Sequence, residues 1–298
     1  MTSDGFSLDQ LLARIRAAFP DLAFAHAALN EHGDDNQVVV LDDIWIVRFP
    51  RTDEYRARFA AERNLLTLLR GATRVPVPHY EHVAPDGSFG AYRLIAGSEM
   101  TPPAFRALDP DAQQTVLAEM GVFFGALHAL PAVTIAQPDG FIPRTWSGEQ
   151  FAALYRGMRR AKIARLTPAP MLARFDAFHD AFEKIEPGVA RLVHDDISDD
   201  HLLISPNGLA GVIDFSDASF GDAAIDFAWF WRLGEPAIDL VLLNYALVGE
   251  DPGLKTRAYW TFVRYLINQL SYGDKSKWNL VPEQALAELD GHLRKLGF

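Results

Sequence analysis

The residues able to do chemistry in this chain crowd into one acidic stretch. Leu192–Ile204 holds His194, Asp195, Asp196, Ser198, Asp199, Asp200 and His201, and Gly211–Asp217 follows with Asp214, Ser216 and Asp217. From Asp195 to Asp226 there are eight Asp (195, 196, 199, 200, 214, 217, 222 and 226) and no Lys, Arg or Glu. Like charges at that density repel, so a cation is expected among them. Carboxylate oxygens suit a hard divalent ion, and an ionised Asp beside it can take the proton of a hydroxyl.

The local pattern says where these side chains point. Arg191–His194 has the character of a short buried strand, the residues after it lack strand or helix periodicity, and Leu202–Ile204 resumes an apolar run. Asp195–His201 is therefore a loop between two strands. Asn207-Gly208 is a hairpin signal because both residues tolerate positive φ, and Ala210–Ile213 returns as the next strand. Asp214 then ends a strand that can pair with the one after the loop. That pairing brings Asp196, His201 and Asp214 within reach of one another.

This arrangement resembles the catalytic core of the protein-kinase-like phosphotransferases. Their pattern is His-x-Asp, an Asn five residues after that Asp, and an Asp-Phe-Gly motif whose Asp holds magnesium. Here His194-x-Asp196 fits, His201 stands where Asn would be, and Asp214-Phe215-Ser216 occupies the place of Asp-Phe-Gly. With His201 and Ser216-Asp217-Ala218, the chain looks less like a protein kinase and more like the antibiotic kinases. It is most similar to aminoglycoside 2''-phosphotransferases, with macrolide phosphotransferases beside them. The resemblance implies Asp196 as the catalytic residue that accepts or orients the proton of an acceptor hydroxyl. It also implies His201 and Asp214 as magnesium ligands, His194 as a buttress under the loop, and Asp226 as a buried brace that accepts hydrogen bonds from it. ATP or GTP would be the phosphoryl donor.

The elements that must position these residues can be traced from the start of the chain. Ser7–Phe19 has apolar residues at helical spacing with Ser7 as N-cap and Pro20 just past the end. Phe24–Leu29, Gln37–Leu41 and Ile44–Phe49 make a three-strand antiparallel meander; Tyr80–Val83 and Phe89–Ile95 extend it to five strands. A helix from Asp53 to Leu69, closed by Gly71, lies between. Arg48 alternates with Val47 and Phe49, so it faces the opposite side of the sheet. The resemblance gives Arg48 the phosphate-pairing place of a kinase Lys, with Glu62 as its ion-pair partner and Glu54 as the second choice. It sets the nucleotide base against backbone near Leu94 and Ala96. The Asn30–Asn36 turn would cover the phosphates, although it offers only Gly33 and carries two Asp.

Beyond Ala96-Gly97-Ser98 the pattern is helical to about Pro187. Asp109–Leu130 is a central buried helix carrying His128 as a satisfied core histidine, and the basic residues from Arg144 to Arg174 form a solvated face. Gly221-Asp222 is expected to open a helix bearing Asp226, and helices follow over Ala237–Leu247, Leu254–Tyr272 and Pro282–Leu296. Glu235 and Asp239 are the substrate-binding candidates, with Asp274, Trp229, Trp231, Tyr272 and Trp278 as further pocket residues. The expected fold is α+β, protein-kinase-like and two-lobed: a nucleotide-binding lobe over 1–97 and a helical lobe over 98–298 with the catalytic loop and substrate site.

Composition bounds the partners. The chain has 298 residues, 49% hydrophobic and 22% charged, enough for a substantial core. No Cys is present, which excludes disulfides and thiolate chemistry. No apolar run reaches about 18 residues, and Asp4 and Asp9 do not fit a signal peptide, so a cytoplasmic monomer away from membranes is expected. The net charge of −11 disfavours nucleic acid and favours a cationic small molecule. The expected function is magnesium-dependent transfer of a γ-phosphoryl group to a hydroxyl of an aminoglycoside. Macrolide phosphorylation, a housekeeping kinase acting on choline or homoserine, and a non-catalytic nucleotide-binding module are the alternatives.

Overall fold

The computed structural model describes residues 6–30, 35–272 and 281–298. Helix α1 (Leu8–Ala18) begins at a capping box, in which Ser7 accepts from the Gln10 amide and the Gln10 side chain accepts from the Ser7 amide. Leu11 and Ile15, one turn apart, seat it on a sheet. The sheet contains β1 (Ala27–Asn30), β2 (Asn36–Leu41), β3 (Trp45–Pro50), β4 (Tyr80–Val83) and β5 (Gly90–Arg93). All pairs are antiparallel, in the order β1-β2-β3-β5-β4. Val47 and Phe49 join the core under α1, while Arg48 between them turns to the other face and meets α2 (Asp53–Ala72). The expected stop at Gly71 does not occur there. Gly71 keeps helical backbone geometry, and the helix runs on to Ala72 with Thr73 as its cap.

The remainder is mainly helical. It comprises β6 (Ser98–Glu99), α3 (Pro102–Ala107), α4 (Pro110–His128), α5 (Gly148–Leu154), α6 (Arg160–Ile163), α7 (Ala169–Phe182), β7 (Ala190–Val193), β8 (Leu202–Ser205), β9 (Gly208–Val212) and β10 (Ser219–Asp222). Four helices end the chain: α8 (Ala224–Phe227), α9 (Glu235–Leu243), α10 (Leu254–Gln269) and α11 (Pro282–Lys295). Val116, Met120, Phe123, Phe124 and Leu127 of α4 sit in a core with Phe215, Phe227 and Phe230 beneath the acidic loop. A second core joins α7, α10 and α11 through Phe175, Phe178, Phe262, Val263, Leu289 and Leu293. Among the described residues no helix is long and apolar enough to cross a membrane.

Two strands escape the sequence pattern. Ser98 and Glu99 pair with Ile204 and Leu203 at the edge of the β8–β9 hairpin, although both are exposed and too few to show periodicity. Gly221-Asp222 does not open a helix: Ser219–Asp222 pairs antiparallel with β7 instead, and the helix begins two residues later. Pairing across almost thirty residues of sequence overrides the local signal there, and Gly221 is required because a Cβ would meet Thr145 Oγ1 at 1.8 Å.

Gly121 lets α4 and α9 approach; a Cβ there would sit 2.2 Å from the Val241 carbonyl oxygen. Gly121→Ala is therefore expected to lose about 1–3 kcal/mol in denaturant unfolding, and an unchanged midpoint would contradict this packing.

Candidate active site

A buried carboxylate sets the loop. Asp226, fully buried on α8, accepts from the His194 amide at 2.9 Å through Oδ2 and from the Asp195 amide at 3.0 Å through Oδ1. His128 Nε2 lies 3.0 Å from Oδ2, and His128 Nδ1 lies 2.9 Å from the Tyr245 hydroxyl. The proton therefore belongs on Nε2, facing the carboxylate, while Nδ1 accepts from Tyr245. His128 is thus a satisfied core histidine, and Asp226 ties the end of β7 to α4 and α8.

That tie holds the backbone where it would not go unaided. Asp195 has φ 68° and Asp214 has φ 60°, both in the left-handed region. His194 fills the space between them: its Nδ1 accepts from the Asp196 amide at 3.3 Å, and its Nε2 lies 2.9 Å from the Ile213 carbonyl, to which it donates. Burial pushes its pKa down, which keeps the imidazole neutral in this role.

His201 lies across the loop. Nδ1 is 2.7 Å from the Asp196 carbonyl oxygen and donates to it, which leaves the Nε2 lone pair open, 3.8 Å from Asp214 Oδ2. The Asp196 carboxylate, half exposed, is 3.3 Å from His201 Nδ1. Burial opposes protonation of His201, yet Asp196, Asp214 and Asp200 outweigh it and raise its pKa.

Arg48 completes the group. Nearly buried, it donates through Nη1 to Glu62 Oε1 at 2.7 Å and through Nη2 to Asp214 Oδ1 at 2.7 Å. The sheet, α2 and the end of the β8–β9 hairpin meet at this one guanidinium. Burial opposes ionisation of Asp214, but Arg48 and His201 hold its carboxyl well below the usual range. For Glu62 burial wins over Arg48, and the pKa is pushed up to about 7.

Several of the eight Asp stay near enough to repel one another, as Asp217 does with Asp196 and Asp214. Asp199 binds Trp229 Nε1 and Arg232, Asp217 binds Arg58, Asp222 binds Arg257, and Asp195 accepts from Ser219 Oγ. Most of these carboxylates have their own donor. Among the described residues no three His, Asp or Glu form a ready cage for an ion. His201 and Asp214, expected to share an ion, stand 3.8 Å apart from Nε2 to Oδ2.

Two cavities border the loop on different sides. The larger, about 990 Å³, is lined from the sheet by Val38, Ile46, Arg48 and Tyr92 and from the hairpin by His201, Leu203, Ile213 and Asp214. The smaller, about 350 Å³, is lined by Asp195 and Asp196 and by Phe151, Arg264 and Tyr265. Leu94 lines the larger cavity, but its amide is spent on the Ile44 carbonyl; Ile95 and Gly97 line it, and Ala96 does not. Glu235 and Asp239 line neither cavity; Lys255 bridges both and Lys295 also holds Glu235. Glu54 binds Arg58 on its own helix. Trp229 is buried, whereas Tyr272 lies on the rim of the smaller cavity. Asp274, Trp278 and residues 31–34 of the Asn30–Asn36 turn lie outside the described residues.

Residues 26–266 match the phosphotransferase enzyme family. The chain belongs to that family. Protein YcbJ of Bacillus subtilis (strain 168), itself uncharacterized, is 27% identical over 242 residues, 75% of this chain and 76% of its own. The fold of this phosphotransferase is shared by the GDP and kanamycin complex of APH(2")-IIia, 21% identical, with TM-score 0.76 over 97% of this chain and 99% of that one. The macrolide 2'-phosphotransferase MphH from Brachybacterium faecium is 24% identical, with TM-score 0.63 over 95% and 98%. The kinase-like α+β fold expected from the motifs is thus the fold observed.

Sequence reasoning missed the direct contact of Arg48 with Asp214 and the whole smaller cavity. Arg264 was legible only as one cation inside the otherwise apolar run Phe262–Ile267.

Burial, then the nearby acids Asp226 and Asp217, push the Asp195 carboxyl up to about 8 against the bond from Ser219. Unfolded, it would release its proton near pH ~4, so the stability it contributes is present below that pH and lost as pH rises through about 8. Asp195→Asn, neutral throughout, is expected to gain in melting temperature over the parent as pH rises from ~5 to ~8. Parallel curves across that range would contradict the assignment.

Proposed function

We propose that this chain transfers the γ-phosphoryl group of ATP or GTP to a hydroxyl of a small molecule. The observation that carries this is the meeting of Asp196, His201 and Asp214 at one point between two cavities, with Arg48 beside Asp214. His201 and Asp214 face the larger cavity, whose apolar walls on the sheet side suit a nucleotide base. Asp196 faces the smaller one, where an acceptor would sit. On this proposal residues 1–97 supply the nucleotide lobe and 98–298 the remainder of the machinery.

The chemistry needs orientation and charge more than covalent help. His201 Nε2 and Asp214 are the residues that would hold a magnesium ion, which when bound supplies positive charge to the triphosphate oxygens. Arg48, always cationic, exchanges part of its hold on Asp214 for phosphate oxygens, while Glu62 keeps the guanidinium in place. Asp196 accepts the proton of the acceptor hydroxyl as its oxygen bonds to the γ-phosphorus. The bond from that phosphorus to the β,γ-bridging oxygen breaks, and the nucleoside diphosphate leaves. Aminoglycosides and macrolides are the acceptor classes brought forward by the proteins of shared fold. The charges inside the smaller cavity select among hydroxyl compounds.

Asp196→Ala is expected to lower kcat by about 10²–10⁴-fold while nucleotide affinity measured by calorimetry stays unchanged. Asp214→Ala is expected to weaken the affinity for nucleotide in the presence of magnesium. Full turnover by Asp196→Ala would overturn the proposal.

A further inference from the structure

The smaller cavity does not share the charge of the chain. The chain carries −11, yet the acids among the described lining residues are Asp195 and Asp196, and Arg159 and Arg264 line the same cavity. Arg264, buried on α10, is hydrogen-bonded to Tyr265 and has Asp195 facing it, so its charge is answered inside the wall. Arg159, from the π-helical turn Tyr155–Arg159, donates to Ser271 Oγ at 3.0 Å and to the Tyr272 hydroxyl at 2.9 Å. With both acids ionised, two negative and two positive groups sum to zero; with Asp195 protonated they sum to +1. In neither state is this wall negative. A polycation would give up water there without meeting a surplus of opposite charge.

The groups that border the opening are aromatic and hydroxyl-binding. Trp146 and Tyr272, each about half exposed, line the cavity. Trp146 is steadied by Phe151, with ring centroids 5.6 Å apart, and Tyr272 by the Arg159 guanidinium, 4.8 Å from its ring centroid. Two aromatic plates are thus held in place before any ligand arrives. Tyr272 accepts from Arg159 and keeps a hydroxyl proton of its own to donate, while Asp196 offers a half-exposed carboxylate. Aromatic plates beside hydroxyl-binding groups match a ring with C–H bonds on its faces and O–H groups around its edge, because the aromatic face takes the apolar side and the polar groups take the rim. At about 350 Å³ the cavity is near the small end of ligand sites, roughly 300–1,000 Å³, and suits a compact acceptor.

We propose that the acceptor is an uncharged sugar, whose ring rests against Trp146 and Tyr272 while one of its hydroxyls meets Asp196. That hydroxyl gives its proton to the Asp196 carboxylate as its oxygen bonds to the γ-phosphorus, and the nucleoside diphosphate leaves. This rests on the proposed role of the smaller cavity as the acceptor site. It sets the acceptor apart from the cationic ligand that the charge of the whole chain favours.

The test is nucleotide consumption with glucose and galactose and with their 2-deoxy, 2-amino, 6-deoxy and 6-amino derivatives, with kanamycin, erythromycin and choline alongside. Altering two positions keeps one comparison clear of the hydroxyl that is phosphorylated. The expected result, at a position where the deoxy sugar is turned over, is a kcat/KM about 10-fold or more above that of the amino sugar, because the ammonium finds no counter-charge in the wall. In Arg159→Gln, which removes one positive charge, that ratio is expected to fall several-fold with KM for ATP unchanged; a merely structural arginine would slow both sugars alike and leave the ratio intact. Trp146→Ala is expected to raise the KM of the sugar about 10-fold with kcat near that of the parent. An unchanged ratio in Arg159→Gln, preferential turnover of amino sugars or kanamycin, or turnover confined to erythromycin or choline overturns the uncharged sugar while leaving the kinase proposal standing. Nucleotide binding without turnover of any acceptor overturns both.

Discussion

The fold depends on how one buried cation is neutralised. Arg48 is 3% exposed and lies between Glu62 and Asp214, 2.7 Å from each. Stripping water from a guanidinium costs several kcal/mol, and removing one partner of such a pair costs about 3–5 kcal/mol. The sheet that carries Arg48, the helix that carries Glu62 and the hairpin that ends at Asp214 are therefore coupled through a single charge. Burial pushes the Glu62 carboxyl up to about 7 while Arg48 and His201 hold Asp214 ionised, so Asp214 carries the firmer charge of the two.

The second constraint is Asp226. Its two oxygens take the amides of His194 and Asp195 and the ring of His128, so the turn into the acidic loop is fixed before any ligand arrives. Left-handed backbone at Asp195 and Asp214 is strain that such bonds sustain. Its product is geometry: Asp196 turned toward one cavity, His201 and Asp214 toward the other, and 3.3 Å between the first two. An acceptor and a donor arriving from opposite sides would meet there, which is what an in-line transfer requires.

Much of this was legible in the sequence, and the reasons are specific. The spacing of Asp196, His201 and Asp214 placed them together because a loop and a hairpin leave little freedom between them. Strand alternation put Arg48 on the face opposite Val47 and Phe49, and the family resemblance, not the alternation, supplied Glu62 as its partner. Glu235 and Asp239, substrate candidates in the sequence, pair in the structure with Lys255, sixteen or more residues away, a contact that local acidity does not encode. The strands Ser98–Glu99 and Ser219–Asp222 and the contact of Arg48 with Asp214 are products of long-range pairing, which local patterns do not encode.

The central claim is that His201 Nε2 and Asp214 jointly face the ion that accompanies the nucleotide. Manganese can replace magnesium and carries a usable electron spin, and imidazole is a better partner for it than for magnesium. Electron spin-echo modulation of the Mn2+–ATP complex with the protein is the direct measurement. One directly bound imidazole nitrogen, lost in His201→Asn and retained in His194→Asn, is the result predicted. A spectrum free of nitrogen coupling, or one that His201→Asn leaves unchanged, would contradict the account.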